Sequence, residues 1–200
     1  MTQDPMELWE RYKAYRTAHP EIGLALDLSR LHFTDDYFEQ MAEPMEKAFT
    51  AMADLEGGGI ANPDENRMVG HYWLREPALA PNDEIRASIE NCQDEIKSFA
   101  SSVHSGEIQG SDGTFENMLL IGIGGSALGP QFVSRALTTP STTKLTPFFS
   151  DNTDPDGNDI HLFKSHITLS RTIVIVISKS GGTKETRNGM LETKAAFESA

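Results

Sequence analysis

The chain has 200 residues, of which 38% are hydrophobic and 24% are charged, so it can bury a core and is not a disordered polymer. Its 17 basic and 30 acidic residues give a net charge of −13, which repels nucleic acid and anionic membranes. The single cysteine excludes an intramolecular disulfide, and no apolar stretch is suited to secretion or to spanning a membrane. We therefore expect a cytoplasmic protein without nucleic-acid or membrane partners.

The first 110 residues predict a helical segment with little catalytic chemistry. Amphipathic helices are predicted over residues 6–18, 34–52 and 83–103. In the second helix, Pro44 predicts a kink or a restart, and a stripe of Met and Phe side chains predicts core packing. In the third, Cys92 falls on an apolar stripe that also predicts core. That stripe contains Ile85, Ile89, Ile96 and Phe99.

The stretch "LLIGIGGSALGP", residues 119–130, predicts a buried parallel strand, a glycine-rich turn and a helix. Gly124 and Gly125 permit positive φ and a close approach of a ligand to the backbone. An apolar face of the helix is predicted to contain Leu128, Phe132, Ala136 and Leu137. The loop between strand and helix is suited to an anion, because a helix N-terminus presents free N–H groups. Phosphate is the first candidate, and a tight turn without a ligand is the alternative.

A second unit of the same kind follows. The stretch "LTPFFSDN", residues 145–152, predicts the middle strand, and "TIVIVISKSGGTKET", residues 172–186, predicts another strand, loop and helix. If the strands that precede the two loops are neighbours in a parallel sheet, both loops lie together at the carboxyl edge. Ligands of open α/β sheets bind at that edge.

The second loop concentrates groups that bind phosphate. Its side chains supply hydroxyls and an ammonium, and its glycines supply exposed N–H groups, so it can surround a phosphate without a metal. These residues are Ser178, Lys179, Ser180, Gly181, Gly182 and Thr183. The lysine precedes the glycines, which disfavours an ATP-type P-loop. The alternative is that the hydroxyls end the strand and cap the helix while Lys179 is a solvated charge. Lys184 and Arg187 are predicted to be exposed helix charges.

Three motifs together resemble the phosphoglucose isomerase family: "ANPDENRMVGHYWLR" at 61–75, "IGIGGSALGP" at 121–130 and "ISKSGGTKET" at 177–186. The two loops are also similar to those of the wider sugar isomerase (SIS) domain family. The resemblance runs from about residue 60 to the end of the sequence. It implies an α/β fold in which a helical segment, 1–110, precedes the first part of a doubly wound, flavodoxin-like parallel-sheet SIS domain, 111–200.

The resemblance also implies the chemistry and the site. The family interconverts glucose 6-phosphate and fructose 6-phosphate through ring opening and a cis-enediol, with a carboxylate moving a proton between C2 and C1. Gly125 and Ser126 match its sugar-phosphate loop, and residues 178–183 match its phosphate loop. Many members carry a hydroxyl residue where this chain has Gly182, so a backbone N–H must serve there. No cofactor or metal is implied, and the family usually forms homodimers.

The family's base, ring-opening and charge-stabilising residues lie beyond position 200, so no catalytic residue is expected within this chain. We expect the chain to be a truncated part of a longer protein and to be inactive alone. Glu185, in a first helical turn, is better explained by its interaction with the helix dipole than by base catalysis. His71 is better explained as a packed, hydrogen-bonded residue. Two alternatives remain: a non-catalytic SIS-domain sensor of sugar phosphates, and a nucleotide-dependent oxidoreductase, which the incomplete glycine fingerprint disfavours.

Overall fold

The computed structural model describes residues 4–154, 156 and 167–199. The contacts within the chain divide it into two compact units, Met1–Arg86 and Ala87–Ala200. The domain boundary expected after residue 110 stays a prediction.

The N-terminal unit begins with helix α1, Pro5–Tyr15. Asp4 caps this helix by accepting a hydrogen bond from the N–H of Met6 at 3.0 Å. Strands β1, Arg16–His19, and β2, Leu24–Asp27, then form an antiparallel hairpin. The predicted helix over 6–18 therefore ends three residues early, and the hairpin was not predicted. Its short strands are exposed throughout, so they carry no apolar alternation that a sequence pattern would reveal.

Helix α2, Tyr37–Glu56, continues through Pro44, so the predicted restart is wrong. The predicted core stripe on this helix is also wrong within the described structure, since Phe49 is 70% exposed and α2 buries none of its residues. Short strands β3, Ile60–Asn62, and β4, Arg67–Met68, pair after it. Trp73, by contrast, is only 4% exposed and donates from Nε1 to the carbonyl oxygen of Glu56 at 3.0 Å.

Helix α3, Asp83–Ser105, confirms the helix predicted over 83–103. Its predicted packing is wrong, however, because Cys92 is exposed and Ile96 and Phe99 are largely exposed as well. Of the α3 side chains, Val103 is the one that the structure buries among the described residues. A helical stripe shows which side chains share a face, but not whether another element covers that face.

The C-terminal unit is built on a parallel sheet of β5, Asn117–Ile121, β6, Thr146–Ser150, and β7, Thr172–Val176. The order of the described strands is β6-β5-β7. The strand predicted over 145–152 therefore exists, but it does not lie in the middle. The middle belongs to β5, where Leu119, Leu120 and Ile121 are nearly fully buried, as suits a strand covered on both faces.

Two helices follow β5 and β7. Helix α4 spans Gly125–Leu137, and helix α5 spans Lys184–Ser199. Ala196 of α5 packs in the core with Leu119 and Ile121 of β5. Burial of a leucine or isoleucine side chain contributes about 1.5–3 kcal/mol each. The parallel sheet with its helices confirms the α/β class and matches part of an SIS-type domain.

The apolar face predicted on α4 faces solvent in the described structure. Leu128, Phe132 and Leu137 are 62%, 73% and 75% exposed. Ala127, in contrast, is 1% exposed, and Gln131, one turn further along, is half-buried. The helix therefore turns a small and polar face inward.

Candidate functional site

The two predicted loops leave the sheet side by side. We call residues 122–126 loop A and residues 177–183 loop B. The ladder of β5 continues into both, since Gly122 N–H donates to the carbonyl oxygen of Ser150 at 3.2 Å and Ile177 N–H donates to that of Ile121 at 2.9 Å. A Cβ built on Gly122 would lie 3.3 Å from the Ile177 carbonyl oxygen. The condition for the two loops to lie together is that their strands are neighbours, and it is met because β5 pairs with β7.

Loop A is an open helix N-terminus. Gly124 has a φ of 57°, which favours glycine, and no side chain caps α4 at this residue. A Cβ built on Gly124 or Gly125 would meet no atom within 4 Å. Ser126 uses its N–H in a turn to the Ile123 carbonyl oxygen at 3.2 Å, so its hydroxyl is the group it can offer a ligand. The N–H of Gly125 has no hydrogen-bond partner in the part of the chain that the structure describes.

Loop B is closed by hydrogen bonds among its own polar groups. The Ser178 hydroxyl donates to Thr183 Oγ1 at 3.2 Å and accepts from the N–H of Gly181 at 3.1 Å. Ser180 Oγ accepts from the N–H of Gly182 at 3.1 Å and lies 3.4 Å from Thr183 Oγ1. The loop's own hydroxyl oxygens thus accept hydrogen bonds from the N–H groups of Gly181 and Gly182 and from the Ser178 hydroxyl, which are donors that a bound anion would use. Because hydroxyl rotors turn freely, these contacts can be exchanged for contacts with an anion.

The hydrogen bonds explain the residue types of loop B. Gly181 has a φ of 71°, a backbone conformation that a side chain disfavours. Thr183 accepts the first backbone hydrogen bond of α5, from Arg187 N–H at 3.0 Å, so it stands at the helix N-terminus. Its hydroxyl is turned toward Ser178 instead of capping the helix. The N–H of Gly182 is held by Ser180 Oγ in this structure, and its expected role as a donor to phosphate stays a prediction.

Positive charge borders loop B. Lys179 is exposed at the loop, and Arg187 lies on the first turn of α5. Arg187 is exposed, as expected, and it also lines an open cavity of about 390 Å³ together with loop residues. The cavity lining is Val176, Ser178, Gly181, Thr183, Thr186, Arg187 and Met190. The helical spacing of Thr183, Thr186, Arg187 and Met190 is the sequence signal that would have found this wall.

The third motif, at 61–75, forms a turn in the N-terminal unit. Asn62 Oδ1 accepts a hydrogen bond from the N–H of Glu65 at 3.1 Å, and Glu65 pairs with Arg67 at 3.6 Å. Asn66 adopts a φ of 51° within this turn. The His71 ring lies against that of Tyr72 with centroids 4.0 Å apart, but His71 is exposed, so its expected packing is limited to this contact with the neighbouring residue. The motif therefore builds local structure between β3 and Trp73.

Within the described residues, no group of three His, Cys, Asp or Glu side chains is arranged to hold a metal ion. Membrane-spanning helices are likewise not found: every helix that the structure describes is too short or too polar to cross a bilayer.

Fold and loops together define an α/β protein with two glycine- and hydroxyl-rich loops at the carboxyl edge of neighbouring parallel strands, the arrangement of anion-binding α/β proteins. The family model described as phosphoglucose isomerase matches residues 27–200, and the chain belongs to that family. The match starts earlier than the expected residue 60. Membership confirms the family resemblance seen in the sequence, and it favours neither the sensor nor the oxidoreductase alternative.

Curated relatives agree with the family match. The chain is 57% identical over 194 residues to the glucose-6-phosphate isomerase of Geotalea daltonii, covering 96% of this chain and 36% of the relative. It is 55% identical over 196 residues to that of Geobacter sulfurreducens, covering 97% and 37%. It is 49% identical over 203 residues to the chloroplastic glucose-6-phosphate isomerase 1 of Arabidopsis thaliana, covering 100% and 33%. The chain thus spans about a third of the length of these relatives.

Proposed function

We propose that the protein to which this chain belongs interconverts glucose 6-phosphate and fructose 6-phosphate, and that this chain supplies its phosphate-binding part. The observation that carries the proposal is the position of loops A and B, which start side by side at the carboxyl edge of β5 and β7. Two anion-binding loops at one edge suit a small ligand with one terminal phosphate.

The phosphate is held by loop B in this proposal. Lys179 supplies a full positive charge, while Ser178, Ser180 and Thr183 exchange their mutual hydrogen bonds for bonds to phosphate oxygens. Gly181 and Gly182 supply backbone N–H groups released in the same exchange. We give Ser178, Lys179 and Thr183 the larger share, because Gly182 replaces a hydroxyl residue of many family members. A local site of this kind is required, since the chain as a whole carries a charge of −13.

Loop A contacts the next part of the same ligand. Gly125 offers its N–H and Ser126 its hydroxyl at the uncapped N-terminus of α4. Anchoring the phosphate and this adjoining part fixes where C1 and C2 of the sugar lie relative to a base. The base, the ring-opening group and the charges that stabilise the enediolate come from the remainder of the polypeptide. A homodimer and a cytoplasmic location remain part of the same proposal.

The test is a coupled assay with the full-length protein in both directions. We expect conversion of fructose 6-phosphate to glucose 6-phosphate and the reverse, without an added metal or nucleotide. We also expect the 200-residue chain to show no conversion when it is assayed alone. Binding of fructose 6-phosphate by the full-length protein with no conversion in either direction would contradict the isomerase and support the sensor.

A further inference from the structure

A polar side-chain pair joins α4 to the end of β6. Gln131, on α4, donates from Nε2 to Asp151 Oδ2 at 2.6 Å. The two residues are 20 positions apart in the sequence, and both are half-buried. An amide that donates to a carboxylate at this distance makes a short, charge-assisted hydrogen bond, which is stronger and more directional than a neutral one.

The Gln131–Asp151 pair holds the helix that follows loop A, and a backbone hydrogen bond holds the start of the loop. Gly122, the first residue of loop A, donates its N–H to the carbonyl oxygen of Ser150. Asp151 is the next residue, and it holds Gln131 in the second turn of α4. Consecutive residues at the end of β6 therefore fix both the start of loop A and the helix that follows it.

Apolar packing alone gives α4 little to hold its orientation. Ala127 is the one α4 side chain that the described structure buries, and an alanine methyl fixes a helix rotation weakly. Leu128 and Phe132 face away from the sheet and are mostly exposed. Gln131 lies four residues after Ala127, on the same inward face. Because α4 has no large apolar side chain packed inward, the directional hydrogen bond between Gln131 and Asp151 is a main contact that fixes the rotation of this helix.

We propose that Gln131 and Asp151 are positioning residues of the sugar-phosphate site, an inference that rests on the proposed function. By fixing the rotation of α4 they set the directions of the Gly125 N–H and the Ser126 hydroxyl at its N-terminus. A change of a few degrees in this helix would misalign both donors with the ligand, although neither Gln131 nor Asp151 touches it. Loop B, which follows a different strand, is left in place.

The first experiment replaces Gln131 with leucine, which has a similar size but no donor, in the full-length protein. We expect KM for fructose 6-phosphate to rise about 3- to 10-fold, the size of one net hydrogen bond, while kcat stays within about twofold. The reason is that loop A binds ground state and transition state alike. Val133→Ala, on the opposite side of α4 and 52% exposed, is the matched control and leaves both constants unchanged. Should Gln131→Leu not fold, Gln131→Asn removes the reach of the amide and carries the same expectation.

A swapped pair separates positioning from general stability. Gln131→Glu alone sets two carboxylates against each other, so KM rises further and falls again as the pH is lowered and one carboxyl becomes protonated. Combining it with Asp151→Asn restores the same hydrogen bond with donor and acceptor exchanged, and KM returns to within about twofold of the wild type. A double variant that keeps the high KM of Gln131→Glu overturns the proposal, as does a lowered melting temperature with unchanged KM in all single variants.

Lys179→Ala, assayed beside these variants, separates this inference from the proposed function. If Lys179→Ala raises KM and the Gln131 variants do not, the positioning role is wrong and the phosphate site stands. If Lys179→Ala leaves KM unchanged, the site on which the inference rests is itself wrong.

Discussion

Gly189 of α5 packs directly on Ile121 of β5. A Cβ built on Gly189 would lie 3.1 Å from Cγ2 of Ile121 and 3.4 Å from Oγ of Ser150. Ile121 and Ser150 are the last residues of β5 and β6, so this contact fixes α5 against the same edge from which the loops emerge. Because α5 begins where loop B ends, a glycine inside a helix here serves the site by permitting close packing.

Enlarging this glycine should therefore destabilise the fold. Gly189→Val places two methyl groups where Ile121 and Ser150 already stand, and overpacking of this kind costs about 1–3 kcal/mol. We expect the melting temperature of the full-length protein to fall accordingly. Asn188→Val, at the neighbouring exposed position, places the same β-branched side chain in α5 without the clash and is the control. Equal melting temperatures for the two variants would show that Gly189 is not tightly packed.

The hydroxyl of Thr183 should matter more than its methyl group. It accepts from Ser178 and lies near Ser180, so it joins both ends of loop B. Thr183→Val keeps the shape but leaves both serines without this partner, and we expect KM for fructose 6-phosphate to rise about tenfold. Thr183→Ser keeps the hydroxyl and should stay close to the wild type. Steady-state kinetics of the two variants measure the difference, and equal KM values would place loop B outside the site.

Asp27 provides a test of local electrostatics in the N-terminal unit. Hydrogen bonds from the Ser29 side chain and from its N–H, at 2.8 Å, lower the pKa of the Asp27 carboxyl from its usual 3.8, and the charges of Arg30 and Arg16 add to this. The folded pKa is below the unfolded one, so the stabilisation is present above the unfolded pKa and is lost as the pH falls through the folded value.

Ser29→Ala should therefore raise the pKa of Asp27 toward 3.8, because it removes the largest cause of the shift. NMR titration of protein labelled with carbon-13 in aspartate carboxyls measures this directly. Ser101→Ala serves as the control and should leave Asp27 unchanged, because the Ser101 hydroxyl is exposed and donates to the Lys97 carbonyl oxygen of its own helix α3. A pKa of Asp27 that is the same in Ser29→Ala and in the wild type would contradict the hydrogen-bond assignment.

The sheet and both loops were predictable because they depend on local sequence. Continuous apolar runs ending in glycine mark buried parallel strands followed by tight turns, and Leu119 and Gly124 conform to this pattern. The adjacency of β5 and β7 was left open as a condition, and the structure meets it. The predicted strand order was wrong, because strands placed in sequence order put 145–152 in the middle, whereas β5, the most buried of the described strands, took that place.

The errors concern which elements cover which faces. Cys92, Phe49 and Phe132 each lie on an apolar helical stripe, yet all three are exposed in the described structure. Periodicity defines a face, but burial depends on a partner that the local pattern does not specify. The internal hydrogen bonds of loop B and the contact between Gln131 and Asp151 were also beyond sequence reasoning. They depend on side-chain rotamers and on residues brought together by the fold.

The central claim is that loop B binds the phosphate of a sugar phosphate, and Lys179 tests it most directly. Titration calorimetry of the full-length protein with fructose 6-phosphate should give a Kd at least about tenfold higher for Lys179→Ala than for the wild type, because one charged hydrogen bond is lost. Lys184→Ala, the next lysine and exposed at the start of α5, should change the Kd by less than about threefold. Equal affinities of Lys179→Ala and the wild type would contradict the account.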